Sequence, residues 1–317
     1  MSSVNEVIEA VRTGDRRAAA RLITALERWD RKALEVLYQL RSDSITAHRI
    51  VFTGPPGVGK SSLINALVSV YRTNDERIGI ISQDPASQLT GGALLGDRIR
   101  MQGHAVDRDV FIRSVPVRSD LEGAVSSVEL IVPVMEAMGF NRVLVETVGV
   151  GQSEPEVSDL ADTTVVVEAP GLGDNIQLMK AGLLEVGDVV VLNKKDLPGG
   201  IEASARLKTW CRERSRRETW QCPLVETSAH TGNGVDELFQ ALDKHWRYLL
   251  DEDRLQGVRK RKRMNRLKRL LSRKIETRVN STIADNQDLT NILQEAVAGR
   301  RDLESTLNTV LDRLLPR

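Results

Sequence analysis

Cysteine is nearly missing from this chain: Cys211 and Cys222 are the two among 317 residues. With His48, His104, His230 and His245 scattered, they form neither a disulfide framework nor a thiolate metal cage, so inert thiols in a reducing compartment are expected. Aromatic residues make up 3% of the chain, too few for a base-stacking platform, so single-strand nucleic-acid binding is disfavoured. Of the four tryptophans, Trp210, Trp220 and Trp246 read as helix-packing residues. Long apolar runs are lacking as well. Stretches such as 189–192 fall far short of the roughly 20 residues needed to span a bilayer. The opening Met1-Ser2-Ser3-Val4-Asn5-Glu6 shows no basic region followed by an apolar core. A cytoplasmic protein without membrane association is expected. There is no global charge either: 45 Lys and Arg face 44 Asp and Glu, for a net +1. That balance conceals a local excess of eight positive charges over 251–280, which leaves the remainder net acidic by seven.

Periodicity organises the rest. Leu22, Ile23, Leu26, Leu34, Leu37 and Leu40 recur at helical spacing in an N-terminal prelude. Short β-branched runs follow at 50–52, 78–81, 110–115, 143–145, 164–167, 189–192 and 224–227. Most do not alternate apolar with polar, as expected of strands covered on both faces. Helical patterns at 63–71, 126–138, 175–184 and 235–249 separate most of them. Strands alternating with helices predict an α/β fold with a doubly wound, mostly parallel sheet. Beyond about residue 251 strand signals stop. Met264, Leu267, Leu271, Ile275 and Val279 form one helical stripe. Leu289, Ile292, Leu293, Ala296 and Val297 form a second, ended by Gly299, and Leu303, Leu307, Val310, Leu311 and Leu314 a third. The expected organisation is an N-terminal helical segment 1–46, a nucleotide-binding domain 47–250 and a C-terminal helical arm 251–317.

The segment Gly54-Pro55-Pro56-Gly57-Val58-Gly59-Lys60-Ser61-Ser62 satisfies G-x-x-x-x-G-K-[ST] between a strand and a helix. Its glycines let backbone N–H groups converge on phosphate oxygens, Lys60 reaches the β/γ-phosphates and Ser61 offers a hydroxyl to Mg²⁺. Directly after the run 189–192 comes Asn193-Lys194-Lys195-Asp196. A carboxylate at Asp196 can accept from guanine N1–H and the 2-amino group, donors that adenine does not offer in that arrangement. Ser228, Ala229 and His230, after the next strand, place backbone amides for the guanine O6. The expected nucleotides are GTP and GDP. Glu146, ending the strand at 143–145, can hold Mg²⁺ through water, with Gly149 approaching the γ-phosphate.

These motifs, together with Asp84-Pro85-Ala86-Ser87, Thr90-Gly91-Gly92, Leu95-Gly96-Asp97, the run Glu146-Thr147-Val148-Gly149-Val150-Gly151-Gln152-Ser153-Glu154 and Pro170-Gly171-Leu172-Gly173-Asp174 with Lys180, resemble the MeaB/ArgK family. Its members are P-loop GTPases that chaperone adenosylcobalamin-dependent acyl-CoA mutases, the human one serving methylmalonyl-CoA mutase. The resemblance implies that Asp84 and Asp97 are first-switch acids near Mg²⁺ and that Glu146 is the Walker B acid. It also implies that 171–180 is an additional switch loop facing the mutase, and that the basic tail completes a homodimer. Asn175, where the family commonly has Glu, and Gln88-Leu89 depart from the pattern, which points to a different acyl-CoA mutase as partner.

In-line attack of water on the γ-phosphate then needs positioning and charge neutralisation. Lys60, Asp97 and Glu146 are the candidate catalytic groups, with Ser61, Asp84, Asp97 and Glu146 around the metal. Gln152 is a candidate water-positioning group and Lys180 a candidate cation that moves inward when a partner docks. The isolated protein is expected to be slow. The basic run Arg259-Lys260-Arg261-Lys262-Arg263 interleaves with the first tail stripe and reads as the solvated side of an amphipathic helix. Two alternatives remain at this point: a metal-inserting GTPase, and a nucleic-acid-associated GTPase using the basic arm.

Overall fold

The computed structural model describes residues 3–40, 47–85, 102–104, 106–117, 127–147, 158–171, 183–216 and 219–314. Its residues fall into two compact units, 1–118 with 125–263, and 119–124 with 264–317.

The first unit is built on seven strands: β1 His48–Thr53, β2 Ile78–Pro85, β3 Val110–Val117, β4 Arg142–Glu146, β5 Thr163–Glu168, β6 Val189–Leu192 and β7 Leu224–Glu226. They pair in the order β3-β2-β4-β1-β5-β6-β7, every pair parallel. Parallel neighbours require crossovers, and helices supply them on both faces, which is why β4, β5 and β6 are buried along their whole length.

Strand periodicity divides the core. Ile50 and Phe52 point to one face, where α4 (Lys60–Thr73) and α8 (Val235–Leu250) contribute Leu63, Leu67, Leu238 and Leu242. Val51, Val143 and Val145 point to the other, covered by α1 (Val4–Arg12), α2 (Arg16–Glu27), α3 (Arg31–Leu40) and α5 (Ser127–Ala137). The N-terminal prelude thus buries the leucine stripe expected of it, Leu22, Leu26, Leu37 and Leu40, at about 1.5–3 kcal/mol per large aliphatic side chain. Ser3 and Glu6 form a reciprocal capping box on α1, and Asp15 caps α2. The next residue, Arg16, fastens this layer to the sheet, donating to the carbonyls of Asp107 and Val110 at 2.9 Å each and lying over the Phe111 ring. After the short α6 (Leu183–Val186), α7 (Gly200–Ser215) covers Val166, Val190 and Leu192. Cys211 and Cys222 are both buried in that cluster as free thiols. Trp210 and Trp246 lie on helices, but Trp220 does not: it sits in a bend before β7, donating its indole N–H to Asp188 O at 2.8 Å.

The tail begins with α9 (Arg254–Ala284). Two residues of its basic run are not solvated as expected. The Arg259 guanidinium forks onto Asp162 at 2.8 and 2.7 Å and donates to Ala47 O at 2.9 Å, while Lys262 donates to Ala161 O at 2.8 Å. Asp162 is only 2% exposed, so Arg259 compensates a charge that water cannot reach. In the second unit α9 continues, followed by α10 (Gln287–Val297), capped by Asn286, and α11 (Leu303–Leu314). Leu289, Thr306 and Val310 are buried there, whereas Met264, Leu267, Leu271 and Ile275 are each about half exposed.

Candidate functional site

Because all seven strands are parallel, the residues that leave β1, β4, β6 and β7 emerge at one edge, where the strand order diverges on either side of β1. The phosphate loop leaves β1 through Gly54, whose φ is 144° and where a Cβ would fall on the carbonyl oxygen of Val167 in β5. Gly59 has φ 92°, and a Cβ there would approach Asn193 Nδ2. Both positions therefore demand glycine, for backbone conformation and for space. Gly59 opens α4 without a side-chain cap, which leaves the first-turn amides to an anion. Lys60, 7% exposed, donates its ammonium to Gly54 O at 2.8 Å and Pro55 O at 3.1 Å, so the cation lies within the loop.

Ser61, next on α4, donates its hydroxyl to Glu146 Oε1 at 2.5 Å, and both residues are buried. The pair brings a hydroxyl and a carboxylate, hard oxygen donors, to one point beneath the loop. This donor set fits Mg²⁺, which takes few protein oxygens and completes its octahedron with water and substrate phosphate.

The other end of the site is knitted around Asn193, which is 1% exposed. Its Nδ2 donates to Val58 O in the phosphate loop at 2.9 Å. Its Oδ1 accepts from Thr227 Oγ1 and from the Ala229 amide, each at 3.1 Å. One side chain thereby joins the loops after β1, β6 and β7. Lys194, with φ 56°, reaches back across the phosphate loop to Gly57 O at 2.7 Å. Asp196 is exposed, and a hydrogen bond with the Ser228 side chain holds its carboxyl below the usual range, helped by its own backbone amide. An ionised carboxylate therefore stands at this position. Ser228 is tied by its amide to Asn233 O at 2.9 Å, closing the turn that carries Ala229 and His230. Glu168, which ends β5 beside this edge, was not singled out from sequence; burial raises its carboxyl pKa.

The structure brings together Gly54, Pro55, Pro56, Gly57, Val58, Gly59, Lys60, Ser61 and Ser62 with Glu146, and Asn193, Lys194 and Asp196 with Ser228, Ala229 and His230. Asp84 is the penultimate residue of β2, where its backbone pairs with Pro116, and its side chain lies outside the described residues. Asp97, Gln152 and Lys180, with Gly149 and Asn175, also lie outside them. Thr227, which supports Asn193, was legible only as the last residue of the strand run 224–227.

Comparison with known proteins agrees with this architecture. Residues 19–287 match the family model described as methylmalonyl Co-A mutase-associated GTPase MeaB. A Pyrococcus horikoshii relative is 36% identical over 323 residues, spanning 100% of both chains. The GTPase ArgK of Escherichia coli is 33% identical over 84% of this chain and 83% of its own. In fold, the crystal structure of a LAO/AO transport system kinase superposes with a TM-score of 0.77 at 24% identity, covering 98% of this chain and 97% of that one. A phosphate loop, the buried Ser61–Glu146 pair and the Asn193 junction on one doubly wound sheet, matched along most of the chain by one family model and by relatives named GTPases, make this protein a GTPase of the MeaB family.

Proposed function

We propose that this GTPase serves as a chaperone for an adenosylcobalamin-dependent acyl-CoA mutase, using GTP binding and hydrolysis to gate cofactor loading and protection. The observation that supports it is the match of residues 19–287 to a mutase-associated family, together with the Asn193 side chain that joins the loops after β1, β6 and β7.

In this reading the phosphate-loop amides and Lys60 bind the β- and γ-phosphates and offset their charge. Asp196 orients the guanine through N1–H and the 2-amino group, while the turn Ser228-Ala229-His230 presents backbone amide to its O6, with the Ala229 amide itself engaged by Asn193. Ser61 and Glu146 would hold Mg²⁺, with Asp84 and Asp97 as further acids; the ion supplies charge neutralisation at the transferring phosphoryl group. Gln152 would orient the attacking water, and Lys180 would act when the partner docks. Hydrolysis by the protein alone is then slow. The exposed stripe of Met264, Leu267, Leu271 and Ile275 supports a homodimer formed through the arm 251–317.

The test is GTP turnover with and without candidate acyl-CoA mutases. Stimulation by one mutase, with none by RNA or DNA at physiological salt, is the expected result. Stimulation by nucleic acid alone would overturn the proposal.

A further inference from the structure

The carboxylate of Glu226, the last residue of β7, stands outside every motif yet accepts from three side chains. Lys195 pairs with its Oε2 and Lys208 with its Oε1, the latter at 2.7 Å, while the Ser204 hydroxyl donates to Oε1. Glu226 is 19% exposed. Lys195 is the unspecified third residue of the guanine-reading quartet. Ser204 and Lys208 lie one turn apart on α7, the helix that continues from that quartet's loop.

The contacts next to this cluster run in step. The Lys195 amide donates to Thr227 O at 3.1 Å. One residue further along both loops, Asp196 hydrogen-bonds Ser228. The Lys195 carbonyl is backed by Gly200, where a Cβ would fall on it, and the Glu226 carbonyl is backed in the same way by Gly234. The loops after β6 and β7 are therefore zipped by successive rungs, Lys195 with Glu226, Lys195 with Thr227 and Asp196 with Ser228. Of these, the Glu226 rung alone extends to α7.

We propose that Glu226 is a positioning residue for base selection: through Lys195 it fixes the loop carrying Asp196, and through Ser204 and Lys208 it binds that loop to α7. The proposal rests on the reading of Asp196 as the guanine acceptor. An isolated pair with an exposed lysine contributes little, but a carboxylate shared by three donors and largely removed from water holds its partners in one geometry. Register matters here because Asp196 must meet two donors on one edge of the base. A loop free to shift keeps the phosphate contacts and loses the 2-amino contact first.

The test compares GDP release and the GTP-over-ITP affinity ratio in the full-length protein and in Glu226→Gln, Lys195→Met and the double variant, since inosine lacks the 2-amino group. Each single variant is expected to speed GDP release about tenfold and to shrink the GTP-over-ITP ratio, with kcat at saturating GTP unchanged. The double variant is expected to match either single one. Lys195→Met changes a side chain 43% exposed and keeps the fold, so it tests the clamp even if Glu226→Gln unfolds. Unchanged release and ratio beside a lowered melting temperature would overturn the proposal and leave Glu226 a structural residue. A wild-type protein that binds GTP and ITP equally would overturn the Asp196 reading, and the clamp with it.

Discussion

His48 and His245 meet on opposite sides of a single hydroxyl: Thr163 Oγ1 lies 2.6 Å from His48 Nε2 and 2.8 Å from His245 Nδ1. Donor counting orders the chain. Arg142 Nη1, a donor only, is 3.1 Å from His48 Nδ1, so that nitrogen accepts. His48 Nε2–H then donates to Thr163, whose own proton goes to His245 Nδ1. The remaining His245 Nε2–H faces Asp188 Oδ1 at 3.8 Å. This arrangement needs both imidazoles neutral.

Stability should therefore fall in mild acid. Burial lowers the pKa of His48 and of His245 in the folded state. The unfolded chain binds protons near pH 6.5, and the folded chain binds them only at lower pH. The contribution of these residues is present above about pH 6.5 and is lost as pH falls toward the folded values, by up to about 1.4 kcal/mol per pH unit for each histidine. Urea unfolding between pH 7.5 and 5 checks this, and His245→Asn should flatten the slope.

Replacing Asp196 by Asn should weaken GTP binding by about 10- to 100-fold and relax base choice, because a charge-assisted acceptor of two donors is lost. Competition by GTP, ITP and ATP against a fluorescent GDP measures it. Retained guanine selectivity would mean that another residue reads the base.

Lys60→Ala should abolish GTP hydrolysis. Glu146→Gln should leave the fold intact and raise the Mg²⁺ concentration needed for half-maximal turnover, since the neutral amide holds a metal-bound water less firmly. A magnesium titration of phosphate release separates the two effects.

Within the basic run, Arg259→Ala should cost about 3–5 kcal/mol by leaving the buried Asp162 uncompensated. Arg261→Ala and Arg263→Ala, at exposed positions, should stay within about 0.5 kcal/mol. Thermal unfolding of the three variants distinguishes an anchor from a solvated face.

The seven strands were legible because each is a short β-branched run, and the phosphate and base motifs because function fixes their spacing. α7 is fainter for a physical reason. Its buried face is made of Gly200, Ala203, Ser204, Leu207 and Cys211, mostly small residues, while Ile201 is 80% exposed, so hydrophobic periodicity is weak. The roles of Arg259 and Glu226 depend on partners far away in the chain. The Arg259 carboxylate partner lies 97 positions away, and no local pattern separates it from Arg261. Asn193 was legible as one letter of a base-reading quartet, but its bond to Val58 is a tertiary fact.

The seat of Lys60 on the Gly54 and Pro55 carbonyls has a consequence for recognition. The ammonium already has oxygen ligands of its own, so phosphate gains it by exchange and not by approach. Discrimination between triphosphate and weaker anions is then set by the difference between two oxygen sets. A neutral or singly charged ligand has little to offer the ammonium over the peptide carbonyls, whereas a polyphosphate offers several charged oxygens at once.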